Sequence, residues 1–146
     1  MIAGDRAAPV AGEGPKERPR AQRARVAEGA PGRVPGAGRA LVEEAKLTGW
    51  VLAERGHGPD FARALGVGSE DRDLLRAALL AHVREHPPEA GRPGHPLAGP
   101  AARLWSVSGP LEVRGRRTEV MSVWEVPGPG GRPRLVTAYP RRPGRR

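Results

Sequence analysis

From Leu41 onward the apolar residues recur every three to four positions, and beyond Pro100 they recur every two. The first spacing predicts helices and the second strands. Leu41, Val42 and Ala45, continued by Leu47, Trp50, Val51 and Leu52, mark a first helical face, with Thr48 a candidate N-cap if the segment breaks near Lys46. Gly56-His57-Gly58-Pro59 ends that element. Asp60 caps a short helix from Phe61 to Leu65, which Gly66 closes. A longer helix starts at Ser69, where Glu70, Asp71 and Asp73 place negative charge at the positive end of the helix dipole. Leu74, Leu75, Ala78, Leu79, His82 and Val83 form its apolar stripe, which stops before Pro87-Pro88.

Pro87 to Pro100 holds eight Gly or Pro in fourteen residues and reads as a loop. Strands then follow at Arg103 to Val107, Leu111 to Val113, Thr118 to Val126 and Arg134 to Tyr139. Pro110 marks a bulge or break, since proline is poorly tolerated inside a central strand. Pro127 to Pro133 is a loop, and Pro140 ends the last strand. Helices followed by strands predict an α+β domain, with two or three helices packed on one face of a three- to four-stranded antiparallel sheet. The expected core is Trp50, Leu52, Phe61, Leu65, Leu75, Leu79, Val120, Val136 and some of the strand tryptophans.

Composition separates this domain from its flanks. Residues 1–38 carry seven Gly and five Pro without helical or strand period, so a disordered leader is expected over residues 1–40, a single domain over 41–140 and a basic tail over 141–146. The net charge of +9 is concentrated in the flanks: residues 1–40 carry +4, residues 141–146 carry +4, and residues 41–140 carry 13 basic against 12 acidic groups. The partners this suggests are RNA or another polyanion held by the basic tails, or a protein. Of 25 cationic residues only Lys16 and Lys46 are lysine, a bias that fits a GC-rich genome. Zero Cys removes disulfides, thiol chemistry and Cys-based zinc sites. No apolar run is long enough for a membrane helix and the N-terminus has no apolar signal core, so a cytoplasmic protein without membrane contact is expected.

Five segments resemble a known bacterial family. Lys46-Leu47-Thr48-Gly49-Trp50-Val51-Leu52 is similar to the KLTxYLL opening of domain of unknown function 6883. Phe61 to Val67 resembles that family's short aromatic helix ending in Leu-Gly, and Leu74 to His82 (LLRAALLAH) its leucine-rich helix. Ser122-Val123-Trp124-Glu125 resembles its penultimate strand and Arg134 to Pro140 (RLVTAYP) its ending, so the resemblance spans about residues 42–140. The family usually has a longer linker after the first helix, with a His-Pro and a Lys-Ala pair; here Gly56-His57-Gly58-Pro59-Asp60 replaces it and contains no lysine. The resemblance implies no established activity. Its layout is similar to barnase-like and RelE-like ribonuclease toxins, an analogy of fold.

The candidate chemistry follows from residue types. Metal-independent RNA cleavage needs a base, an acid and cations around phosphate, and histidine titrates near working pH. His57 stands between glycines in a turn beside two helix ends, with Arg63 close in sequence. Period-two alternation puts Leu135, Thr137 and Tyr139 on one face of the last strand and Arg134, Val136 and Ala138 on the other. The catalytic candidates are therefore His57, Thr137 and Tyr139; Arg63 and Arg117 are candidate phosphate ligands, and Trp105 and Trp124 candidate base-stacking residues. Each has a plainer reading as a turn, strand, core or solvated residue. His82, on the apolar stripe, reads as a hydrogen-bonded core histidine, and His86 and His95 as surface and loop residues.

Four His without any Cys give no metal signature, and no cofactor is implied. No GxGxxG follows a strand, and the GPGG at 128–131 precedes a strand rather than a helix. Serines 106, 108 and 122 lack a nucleophile-elbow context. The reading that emerges is a non-catalytic binding or interaction module, with a metal-independent ribonuclease or toxin-like domain as the alternative and a decayed orphan domain as a third possibility.

Overall fold

A computed structural model describes residues 32–141. Its first helix, α1, is an α-turn at Glu44–Lys46 that widens into a π-helical turn at Leu47–Val51. The Leu52 N–H donates to the Leu47 carbonyl at 2.8 Å, a bond spanning five residues. The wide turn points Leu47, Val51 and Leu52 inward together and leaves Trp50 outside, 43% exposed, which corrects the expectation that Trp50 is core. Thr48 is not a cap; it lies within the helix and its hydroxyl donates back to the Glu44 carbonyl at 3.0 Å.

Helix α2 spans Gly58–Leu65, closed by Gly66 at φ 69°, and α3 spans Arg72–Glu85 after a single 3₁₀ turn at Ser69–Asp71. Asp60 sits in the first turn of α2 rather than capping it. Ser69 opens that 3₁₀ turn without capping it; Asp71 accepts from the Gly68 N–H at 3.0 Å. On α3 the stripe buries Leu75, Leu79, His82 and Val83, while Leu74 faces water.

The strands are β1 (Arg92–Pro93), β2 (Arg103–Val113), β3 (Arg116–Val126) and β4 (Arg134–Pro140), an antiparallel sheet in the order β1-β2-β3-β4. The two-residue β1 and a 3₁₀ turn at Pro96–Ala98 occupy the segment expected to be loop. The fold is α+β, with helices in the N-terminal half and the sheet after them.

Pro110 does not break β2, which runs unbroken and pairs Pro110 with Glu119. The Glu119 carbonyl accepts from Arg141 N–H on the β4 side, so Glu119 spends its backbone groups away from β2. Pro110 therefore turns its own backbone to the outer edge, where a missing N–H breaks no ladder bond and His86 Nε2 donates to its carbonyl at 3.1 Å. The β2–β3 hairpin turns through Arg114 (φ 52°) and Gly115 (φ 79°), as a two-residue turn requires. Arg114 also pairs with buried Asp71, tying the hairpin to the start of α3.

In β4 the pairing passes from Val123↔Thr137 to Trp124↔Leu135, so Val136 is an extra residue and β4 carries a bulge. This changes the expected faces: Leu135 and Ala138 are both buried against the helices, Thr137 and Tyr139 stand on the opposite face, and Val136 is only partly buried. The core gathers Trp124, Phe61, Leu47, Leu65, Leu75 and Leu79. It also takes in Val34, Ala37 and Ala40, so packing begins inside the segment assigned to the leader. The remaining leader, residues 1–31, and the tail beyond Arg141 lie outside the described residues.

Candidate active site

The turn between α1 and α2 sets the position of His57. Its N–H donates to the Trp50 carbonyl at 3.2 Å, and Gly58 N–H to the Ala53 carbonyl at 3.0 Å, folding the chain back over the end of α1. The fold-back is so close that a Cβ on Gly56 would lie 1.9 Å from the Trp50 carbonyl oxygen, and one on Gly58 2.5 Å from that of Leu52. The two glycines flanking His57 are thus steric requirements of the turn.

Held there, the imidazole meets two aromatic rings. Trp50 lies edge-on, its centroid 5.5 Å away, and Tyr139 lies 5.2 Å away at a tilt of 37°. Asp60, one helical turn on, brings Oδ2 within 3.6 Å of His57 Nδ1, an ion-pair separation rather than a hydrogen bond. Its other oxygen accepts from Arg63 at 2.6 Å. The Trp50 indole N–H donates to Thr137 Oγ1 at 3.0 Å, which leaves the threonine proton available to a further acceptor. The His57 side chain is 25% exposed and that of Arg63 65% exposed, so solvent reaches the group.

Four of the residues singled out from the sequence (His57, Arg63, Thr137 and Tyr139) thus converge at the β4 edge. Trp50 and Asp60 join them and were not among the site candidates. The place of Trp50 on an apolar stripe points to the core, and that of Asp60 before a helix points to a cap. The one sequence signal that points to Asp60 is its spacing of three from His57, a helical-neighbour distance.

The remaining candidates lie elsewhere. Trp124 is fully buried and donates its indole N–H to Ser122 at 2.8 Å, so it cannot stack on a base. Trp105 is its cross-strand partner on the helix-covered face, with its indole nitrogen buried and without a partner among the described residues. Arg117 is exposed and shares the open face with Thr137, but six residues along β3 from Val123 it lies about 20 Å away. His82 is a core histidine: Nε2 donates to the Gly109 carbonyl at 3.0 Å and Nδ1 accepts from the Ser122 hydroxyl at 2.9 Å. No three His, Asp or Glu side chains among the described residues group so as to hold a metal ion, and no described helix is long and apolar enough to cross a membrane.

A helix-first α+β domain with an exposed polar and aromatic group at its last strand is the class these observations define. Within that class the chain belongs to the family called domain of unknown function (DUF6883), whose profile matches residues 33–142. No curated protein and no solved structure matches the chain.

Proposed function

We propose that this domain cleaves single-stranded RNA by metal-independent acid–base transfer at His57. The observation that carries the reading is the tilted contact of His57 with Tyr139 beside an Asp60 carboxylate shared with Arg63. Asp60 favours a proton on Nδ1, which leaves Nε2 as the base. Nε2 takes the proton of a ribose 2′-hydroxyl, the 2′-oxygen bonds to the neighbouring phosphorus, and the bond from phosphorus to the 5′-oxygen breaks. The Tyr139 hydroxyl protonates that leaving oxygen, giving a 2′,3′-cyclic phosphate and a free 5′-hydroxyl; solvent then resets both side chains. Arg63 and the Thr137 hydroxyl offset the charge that builds on the phosphate.

Incubating the full chain with total RNA and tRNA in EDTA tests this. Cleavage is expected, with His57→Ala lowering the rate by about 10² or more and Tyr139→Phe at least about tenfold while both stay folded. Intact RNA beside a folded wild-type chain overturns it. The same exposed Trp50 and Arg63 would then belong to a binding module, read out as salt-dependent RNA retention without cleavage.

A further inference from the structure

Further back along β4 lies a second concavity. Leu104 pairs with Glu125 and Glu125 with Arg134, so these three stand on the open sheet face that also carries Thr137. The turn after β1 closes over them through Gly94 and His95, α1 contributes Lys46, the residue before that helix is Glu43, and together they form a cleft of about 450 Å³. That is the size range of small-molecule sites. Val136 lines it, so it adjoins the His57 centre along the strand.

Glu125 is only 8% exposed. A carboxylate withdrawn from water ordinarily gathers short, charge-assisted hydrogen bonds. Among the described residues its contacts are longer: the His95 N–H donates to Oε2 at 3.3 Å, and Arg134 lies 3.7 Å from Oε1. Arg134 in turn stands 3.9 Å from Glu43. These charges are near enough to attract, and the length of the contacts leaves the carboxylate with acceptor capacity for further donors. Two carboxylates face two cations, so neither a bare anion nor a bare cation is favoured. The match is a neutral planar group that offers adjacent N–H donors to a carboxylate and a carbonyl to a cation.

We infer that this cleft binds guanine. Its Watson–Crick edge sets N1–H and N2–H side by side for the two oxygens of Glu125, with O6 next to them for Arg134 or Lys46. Adenine, cytosine and uracil each bring donors from one nitrogen of that edge. The cleft's role as a base subsite within a cleaved strand rests on the ribonuclease reading; its preference for guanine does not.

Calorimetric titration of the full chain with GMP, AMP, CMP and UMP separates the two. GMP is expected to bind at least about tenfold more tightly than the other three. Glu125→Gln, which replaces one acceptor by a donor, removes that preference. Arg134→Gln, at a half-exposed side chain, weakens GMP in the same sense and serves if the first variant fails to fold. Equal binding of the four nucleotides, no binding, or a preference that survives Glu125→Gln overturns the guanine site. Guanine preference with intact RNA leaves the site standing and overturns the ribonuclease; RNA cut without regard to guanine does the reverse.

Discussion

His82, one of the buried polar residues of this domain, shows how one tautomer can satisfy a buried network. Nε2–H donates to the Gly109 carbonyl, Nδ1 accepts from the Ser122 hydroxyl, and Ser122 Oγ accepts from the Trp124 indole. No place is left for a second ring proton. Burial, reinforced by the neighbouring His86, lowers the His82 pKa from 6.5 to about 4. An unfolded chain therefore binds a proton below pH 6.5 that the folded chain refuses until about pH 4. The contribution is fully present above pH 6.5 and is lost as pH falls towards 4, on the order of 3 kcal/mol in all. Urea denaturation at pH 7 and pH 4.5 should show this fall in the wild type and a smaller one in His82→Leu, whose stability at pH 7 is lower because Ser122 and Gly109 lose their partner. Equal acid sensitivity in the two proteins would remove His82 as the cause. That His82 lies inside was legible from its place on the α3 stripe. That Trp50 lies outside was not, because a single widened turn rotates a helix face without leaving a mark in the residue pattern.

At the scale of elements, the chain's own chemistry announced the α2–α3 region well, since the dipole charges, the closing Gly66 and the stripe agree there, although neither Asp60 nor Ser69 is the cap its residue type suggests. The strands were legible as strands but not as faces. Alternation assigns Leu135, Thr137 and Tyr139 to one side, yet RLVTAYP has no clean polar–apolar contrast that would expose the extra residue at Val136. The tolerance of Pro110 depends on which strand lies beyond β2, information carried by the whole sheet order rather than by neighbours in sequence. The turn at 56–58 makes the sharpest element-level prediction. Gly56→Ala drives a methyl into the Trp50 carbonyl, so the fold-back must open and His57 must leave Tyr139. A loss of about 1–3 kcal/mol in thermal or urea unfolding is expected, together with the loss of any activity that depends on His57. An alanine variant as stable as wild type would show that the turn relaxes freely.

For the molecule as a whole, the division between packed chain and basic flank lies earlier than composition indicates. Gly and Pro are denser around Val34 than in the preceding residues, so nothing in the local composition marks this as the stretch that packs. What decides it is the buried surface supplied by α3 and the sheet. Val34 is 1% exposed, Ala37 and Ala40 are buried with it, and Arg84 donates to the carbonyls of Ala37 and Gly38. The family's match from residue 33 falls at the same point. A chain beginning at residue 41 is therefore expected to be less stable than one beginning at residue 32 by roughly 2–3 kcal/mol, read as a lower melting temperature at equal salt. Matching melting temperatures would mean that this stretch rests on the domain without supporting it.

The extra residue at Val136 has a further consequence for how such a strand can change over generations. It divides β4 into positions that answer to the interior, Leu135 and Ala138, and positions that answer to whatever meets the outer surface, Thr137 and Tyr139. Inheritance can vary the second pair while the first is held constant. Relatives with the same interior can then acquire different outward chemistry on an unaltered scaffold.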